Sequence, residues 1–453
     1  MNTLVKQKTE SFFQRITQSP ISRLLLIGMV LLLLQIPLSM ISSQIYERGA
    51  QKDHAVQDVT GRWGMQQAIL GPIVVIPYYE YINERDKDGK LIRQRYKRHA
   101  GFLPDQLNID SSVKHETRQR GLFAIPLYQT TIAINGSFNR PDFRHWSIAE
   151  QDILWQESEL VLLVKDAHAI QERAQLTWDG TKQFFNPSAG SVIEKQQGYH
   201  INLAGNVKAA TTPFSIQLKL NGSQQLAFAP VGNDSVIRLQ SDWLDPSFNG
   251  KWLPTTRQVT NQGFNSEWRI SSISRGYGQQ WLFQQSDLLP QLQQSLVGVD
   301  FLVAVDNYRM SERSIKYDAL FLLLTFLLVW IMEVISKQRV HVVQYLLLGS
   351  SLSMFYLLLV ALAEHLGFYL AYLLASLAII VTVALYSKAI LKTRGRALIM
   401  GVVISALYAY LFSLLNEQNY AFLIGAIGLF AALVITMYLT RNIDWYNNNK
   451  TQG

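Results

Sequence analysis

The sequence predicts a membrane α-helical fold with six spans, one N-terminal and five C-terminal, and a large, mainly antiparallel β domain held outside the cytoplasm. Three observations lead there. Apolar runs long enough to cross a bilayer stand at the start of the chain and fill its last third. Lys and Arg gather beside alternate ends of those runs. The polar middle carries apolar residues at period two.

The first run, Leu24–Ser43, follows Lys6, Lys8, Arg15 and Arg23. A cleaved signal peptide also begins with basic residues and an apolar core, but this run is long enough to span and no small-x-small cleavage pattern follows it. It reads as an uncleaved signal anchor. Five more runs follow at Ala319–Ile335, Val342–Leu362, Leu366–Tyr386, Ala397–Leu415 and Tyr420–Thr440. Each matches the roughly 20 residues that cover about 30 Å of hydrocarbon at 1.5 Å per residue.

Charge then sets the sidedness. Lys337, Arg339 and His341 lie between the second and third spans; Lys388, Lys392, Arg394 and Arg396 lie between the fourth and fifth; Arg441 and Lys450 follow the last. The alternate connections, Glu364-His365 and Asn416-Glu417-Gln418-Asn419, contain neither Lys nor Arg. All basic connections fall on one side if both termini are cytoplasmic. The expected organisation is a cytoplasmic N-terminus (1–23), the anchor (24–43), a periplasmic β domain (44–316), a five-helix bundle (317–440) and a cytoplasmic tail (441–453).

Bulk composition is an average over unlike parts. Across 453 residues, 49% are hydrophobic and 16% charged, because a polar middle dilutes two apolar ends. The net charge of +8 reads as topology: no basic stripe interleaved with stacking aromatics marks a nucleic-acid partner. The partner implied is the lipid bilayer. With no cysteine, disulfides, thiolate metal sites and Cys nucleophiles are excluded.

After the anchor, Tyr46, Ala50, Val56, Val59 and Trp63 recur at helical spacing, which predicts a stalk stopped by Gly71-Pro72. Beyond it, Phe214, Ile216, Leu218 and Leu220 alternate with polar residues, the mark of a half-buried strand. Leu122–Ile134, Val236–Leu239, Trp268–Ile273 and Val299–Val305 are similar, with turn signals at Asn135-Gly136, Asn221-Gly222 and Asn249-Gly250. Helices are expected at Trp146–Glu157 and at Trp281–Ser295, the latter broken or restarted at Pro290. Exposed loops are expected at Glu84–Arg98 and Asn186–Tyr199.

No motif for chemistry emerges. The sequence has no phosphate-cradling Gly-Lys-Ser/Thr loop, no His-Glu-x-x-His pair and no Gly-x-Ser-x-Gly elbow. It gives no catalytic residue, no metal site and no cofactor. What stands out is polarity at the membrane, where ionisable residues are costly. Glu333, His341, Gln344 (with Tyr345), Glu364 and His365 are candidate polar bundle residues. A Glu–His pair such as Glu364-His365 can relay protons or hold a cation. Solvation at a nearby interface is the stronger reading for Glu333, Glu364 and His365. The charged join Asp306–Lys316, with Asp306, Tyr308, Arg309, Glu312, Arg313 and Lys316, is either a solvated collar or a coupling element between domain and bundle.

Signature residues in register resemble the CreD family, inner-membrane cell-envelope proteins of Gram-negative bacteria. They include Gly71-Pro72 to Pro77-Tyr78, Phe102-Leu103-Pro104, Asp245-Pro246-Ser247-Phe248-Asn249-Gly250 and Glu312-Arg313-Ser314-Ile315-Lys316-Tyr317. In the bundle they include Gln344-Tyr345-Leu346-Leu347, Phe355-Tyr356-Leu357-Leu358-Leu359, Glu364-His365 and Asp444-Trp445-Tyr446. The chain departs from that pattern at Ala304, where a proline is usual, and at Ala361 and Ala363, where serines are common. The resemblance implies a role in envelope stress, tolerance to certain colicins and a link to a two-component system. It implies no established catalytic residues. The leading expectation is a non-enzymatic envelope protein whose β domain binds a wall, lipid or protein component. The alternatives are a transporter or lipid-handling protein using the polar bundle residues, and an enzyme with unrecognised chemistry.

Overall fold

The structure, a computed structural model, describes residues 20–85, 91–190, 196–285, 288–301, 307–336, 340–391, 393–417 and 420–441. Asp306 of the join, and the basic residues Lys6, Lys8, Arg15, Lys337, Arg339, Lys392 and Lys450 used for sidedness, lie outside the described residues. The chain divides into two compact units: Met1–Asp53 with Val305–Gly453, which is helical, and His54–Ala304, which is built of strands.

Helix α1 (Pro20–Trp63) is one continuous helix of 44 residues. In the helical unit its buried side chains, Ile27, Val30, Leu34, Leu38 and Ile45, recur at three, four or seven residues and so form a single stripe. A Cβ built on Gly349 would lie 2.2 Å from Leu34 Cδ1. Glycine there lets α1 lie close against its neighbour, as small residues do between membrane helices. The stop is Gly64, at φ +150°, whose N–H returns to the carbonyl of Thr60 at 2.8 Å. The expected stop at Gly71-Pro72 is overturned: those residues lie inside the first strand, Gln67–Arg85, at a register shift between Leu70 and Ile73.

α2 (Leu289–Gln294) belongs to the β unit. The helical unit continues with α3 (Asn307–Ile315), α4 (Asp318–Ser336), α5 (Val342–Leu366), α6 (Phe368–Leu391), α7 (Arg394–Asn416) and α8 (Ala421–Thr440). Five helices, α1 and α5 to α8, are long and apolar enough to cross a membrane. α3 and α4 meet at a 48° bend and make a sixth span if taken together. The surface argues for the same solvent. α8 has no buried residue, and Phe422 and Phe430 are 91% and 68% exposed. In water so large an apolar face is untenable, whereas hydrocarbon solvates it.

The β unit holds two mixed sheets around one core. The nine-stranded sheet runs Pro246–Gly250, Val297–Phe301, Gln225–Phe228, Gln67–Arg85, Glu159–Val164, Gly198–Asn202, Asn186–Pro187, with Leu91–Phe102 and then Gln280–Leu282 branching from Gln67–Arg85. The eight-stranded sheet runs Thr256–Thr260, Gly263–Ser271, Asp234–Ser241, Gln106–Arg120, Phe123–Asn139, Thr211–Gly222, Gln175–Trp178, Thr181–Phe184. Pairing is antiparallel except at two places, where Gln67–Ile69 runs parallel to Leu226–Phe228 and Asp234–Ser241 parallel to Gln106–Val113. Strands of the second sheet alternate between buried and solvent-facing residues, as the period-two pattern requires. The apolar run Ala68–Ile76 is buried on both faces.

Several local expectations are corrected. Asn135-Gly136 is no turn, because Gly136 sits mid-strand opposite Leu107 and Phe214. Glu84–Arg98 is largely a hairpin, paired from Tyr78 with Arg98 out to Arg85 with Leu91. Its exposed end is held by guanidinium–ring stacking, Arg93 over Tyr81 at 4.2 Å and Arg95 over Tyr79 at 4.1 Å. Asn186–Tyr199 includes a short strand, Asn186–Pro187, paired with Tyr199 and His200. Trp146–Glu157 is not an α-helix but belongs to a run of three 3-10 turns, since the Leu154 N–H bonds the Pro77 carbonyl at 2.8 Å instead of its own chain. Of Trp281–Ser295, only the part from Leu289 is helical, with Pro290 in its first turn.

Candidate functional site

In the helical unit, the sequence-selected residues fall into separate groups. Glu333 is buried on α4, and its Oε2 accepts a hydrogen bond from the Tyr345 hydroxyl of α5 at 3.0 Å. A carboxylate among apolar side chains needs such a donor. His341 and Gln344 cap α5: the His341 side chain accepts from the Val343 N–H at 3.3 Å, and Gln344 Oε1 accepts from the His341 N–H at 2.9 Å. That is a helix-start device, and it accounts for both residues at this position.

Glu364 lies at the other end of α5, about 28 Å away at 1.5 Å per residue from Tyr345. Its Oε1 accepts from the Tyr308 hydroxyl at 2.9 Å and stands 3.8 Å from Arg48 Nε. Asn307 Nδ2 donates to the Ala363 carbonyl at 2.9 Å, so α3 is tied to the end of α5 twice. Among the described residues no hydrogen bond or ion pair joins Glu364 to His365, and His365 is exposed. Arg313 Nη2 donates to the Leu414 carbonyl in the last turn of α7 at 3.2 Å. Glu312 Oε1 lies 3.2 Å from where a Cβ on Gly49 would stand, and Lys316 is exposed. The structure therefore brings Glu364, Tyr308 and Arg48 together and leaves Glu333 and Tyr345 at the opposite end. Sequence reading missed Arg48, because one arginine beyond an apolar run is ordinary at an interface.

Between these ends the core is aromatic. Phe321, Phe355, Tyr372 and Tyr408 have ring centroids 4.7–6.5 Å apart, and the Tyr372 hydroxyl donates to the Tyr408 carbonyl at 2.7 Å. The hydroxyls of Tyr356 and Tyr408 are buried and, among the described residues, make no hydrogen bond. An unpaired buried hydroxyl costs about 1–3 kcal/mol. Tyr408→Phe and Tyr356→Phe are each expected to raise the thermal midpoint of the detergent-solubilised chain. A lowered midpoint in both would show that each hydroxyl is partnered.

The β unit presents a groove of about 600 Å³ on the solvent face of the eight-stranded sheet. Period two puts Asp110, Ser112, Arg238, Gln240, Asn265 and Glu267 on that face, while Ile109, Ile237, Leu239 and Trp268 point into the core. The exposed strand Thr256–Thr260 forms one wall. Arg238 binds Glu267 at 2.7 Å and Asp110 at 3.3 Å. Hydrogen bonds from Arg269 and then Arg238 hold the Glu267 carboxyl below the usual carboxylate range. Arg238, Asp110 and Glu267 thus satisfy one another, and the rest of the lining is mostly hydroxyls and amides, with Arg257 as a further cation whose guanidinium lies over the Phe248 ring at 6.0 Å. The groove was hidden in the sequence because alternating Gln, Asn and Ser read as a solvated face. Among the described residues, no three His, Cys, Asp or Glu side chains converge as metal ligands.

An apolar helical unit with a separate, polar-grooved β unit defines an integral membrane protein with a large non-membrane domain. Known proteins narrow this. The family model described as "Inner membrane protein CreD" matches residues 19–446. Inner membrane protein CreD of Escherichia coli (strain K12) is 31% identical over 422 residues, covering 93% of this chain and 92% of that protein. The chain belongs to the CreD family of inner-membrane proteins.

Proposed function

We propose that this chain is a non-enzymatic inner-membrane protein that supports cell-envelope integrity under stress. Its β unit binds a polar envelope component, with 44–316 on the periplasmic side and both termini cytoplasmic. The observation that carries this is the groove of about 600 Å³, lined mostly by hydroxyls and amides beside an already neutralised Arg238 and one further cation, Arg257. Such a surface suits a hydroxyl- and amide-rich ligand such as wall glycan or its peptides, bound mainly by hydrogen bonds. The sidedness rests on the positions of Lys and Arg between spans.

The join adds a second element. α3 is fixed to the bundle through Tyr308 with Glu364, Asn307 with Ala363 and Arg313 with Leu414. In this reading, occupancy of the β unit is passed to the bundle through that short helix.

Photo-crosslinkers placed at Gln258 and Asn265, in living cells, test the binding role. The expected result is capture of a wall or envelope component at both positions, and none at Thr211, which is exposed and does not line the groove. Capture of nothing above the Thr211 background would overturn the proposal.

A further inference from the structure

A second cleft lies wholly within the helical unit. α1 contributes Ile41, Gln44, Ile45 and Arg48, and α5 contributes Leu357, Val360, Ala361 and Glu364; together they line a cleft of about 250 Å³. That is below the roughly 300–1,000 Å³ of sites that bury a whole small molecule, and suits a headgroup with the start of one chain. Its two ends differ in chemistry. One is aliphatic, and on α5 the stripe continues outward through Leu357 and Met354, which are 43% and 51% exposed. The other carries, among the described residues, one cation, Arg48, and one anion, Glu364.

The pairing of those charges is loose. Arg48 Nε stands 3.8 Å from Glu364, and the Arg48 side chain is 45% exposed. Glu364 is only 11% exposed and already accepts from the Tyr308 hydroxyl. Arg48 therefore keeps outward N–H groups able to fork onto a phosphate. The second oxygen of Glu364 is an acceptor placed beside it.

We infer that this cleft is a binding site for a single phospholipid with a primary-amine headgroup. Its phosphate sits on Arg48, its ammonium on Glu364, and its acyl chain along Ile41, Ile45, Leu357 and Val360. Charge complementarity favours this occupant. A zwitterionic headgroup meets one to one the single cation and single anion that, among the described residues, line the cleft. A glycerol headgroup brings no cation for Glu364, and a choline headgroup has no N–H to donate to it. The inference stands apart from the groove of the β unit.

The test uses the full chain, reconstituted in nanodiscs containing equal parts phosphatidylethanolamine, phosphatidylglycerol and phosphatidylcholine, then released for native mass spectrometry. The ethanolamine lipid is expected to be retained one per chain, enriched about tenfold over the others, a difference of about 1.4 kcal/mol. Arg48→Ala should abolish the enrichment. So should Ala361→Trp, which fills the cleft from an exposed position and leaves Arg48, Glu364 and Tyr308 in place. Equal retention of the three lipids by the natural chain, or enrichment surviving Ala361→Trp, would overturn the assignment.

Discussion

Replacing Gly136 with valine is expected to unfold the β unit. A Cβ at that position lands 2.0 Å from the Gln106 carbonyl oxygen and 2.9 Å from Phe214 Cζ. The first of these is backbone of a paired strand and cannot swing aside. Gly136 lies opposite Leu107 on one neighbour and Phe214 on the other, so relief would break two ladders at once. Ordinary overpacking costs about 1–3 kcal/mol, and a clash against backbone on this scale should exceed about 3 kcal/mol. Gly121→Ala is the matched control. Gly121 adopts φ +61° with nothing within 4 Å, so alanine there pays only for its backbone conformation, about 1 kcal/mol. Limited proteolysis and tryptophan fluorescence of the solubilised chain would separate the two. Native-like protection in Gly136→Val would refute the strand placement.

Charge reversal at Arg313 should have the next largest effect. The guanidinium bonds the Leu414 carbonyl at the C-terminal end of α7, where the helix dipole favours a cation. Glutamate there would face those carbonyls with like charge, at an expected cost of about 3 kcal/mol, whereas Arg313→Gln should lose about 1–2 kcal/mol. Thermal melting in detergent reads the first quantity; envelope-stress sensitivity in cells reads the proposed coupling. If Arg313→Glu reaches normal abundance and leaves stress tolerance unchanged, α3 does not transmit anything.

The helical unit was the more legible part of the chain. Runs such as Val342–Leu362 and Tyr420–Thr440 announce themselves because hydrocarbon admits few alternatives to an apolar helix. The structure extends the first of these only to Leu366 and starts the second at Ala421. The β unit was legible where one face is wet, as in Phe214 to Leu220, and illegible where local signals compete with long-range pairing. Asn135-Gly136 has the composition of a turn, yet its role is decided by Gln106, thirty residues earlier. Glu84–Arg98 has the charge of a loop, yet tyrosines across the hairpin shelter its arginines. Trp146–Glu157 has apolar residues at helical intervals, but a backbone bond to Pro77 takes one of the amides a helix would need.

The candidate site was legible one residue at a time and not as groups. Glu364 and Tyr308 both stood out, but only the fold shows that they bond each other, with Arg48 from the far end of the sequence beside them. Gln344 stood out as a polar residue entering a span, and proves to finish a cap. The β groove went unseen because its components are common surface residues; alternation placing Gln240, Asn265 and Gln258 on adjacent strands was the available signal.

The hairpin of Gln67–Arg85 and Leu91–Phe102 has a mechanical consequence. Its root lies within the nine-stranded sheet, with Ile73 to Ile76 buried and Tyr81 still bonded to Asp152, while its outer part from Ile82 pairs only strand with strand. An isolated two-stranded ribbon is marginal in water. The outer part therefore borrows its order from the root and behaves as a cantilever. Amide protons near Ile76 should exchange only with opening of the whole unit, and those near Asn83 through small local bends, giving a gradient of protection along one strand. A ligand or neighbouring protein that gripped the tip would stiffen the ribbon along its length, carrying the effect inward to the centre of the sheet.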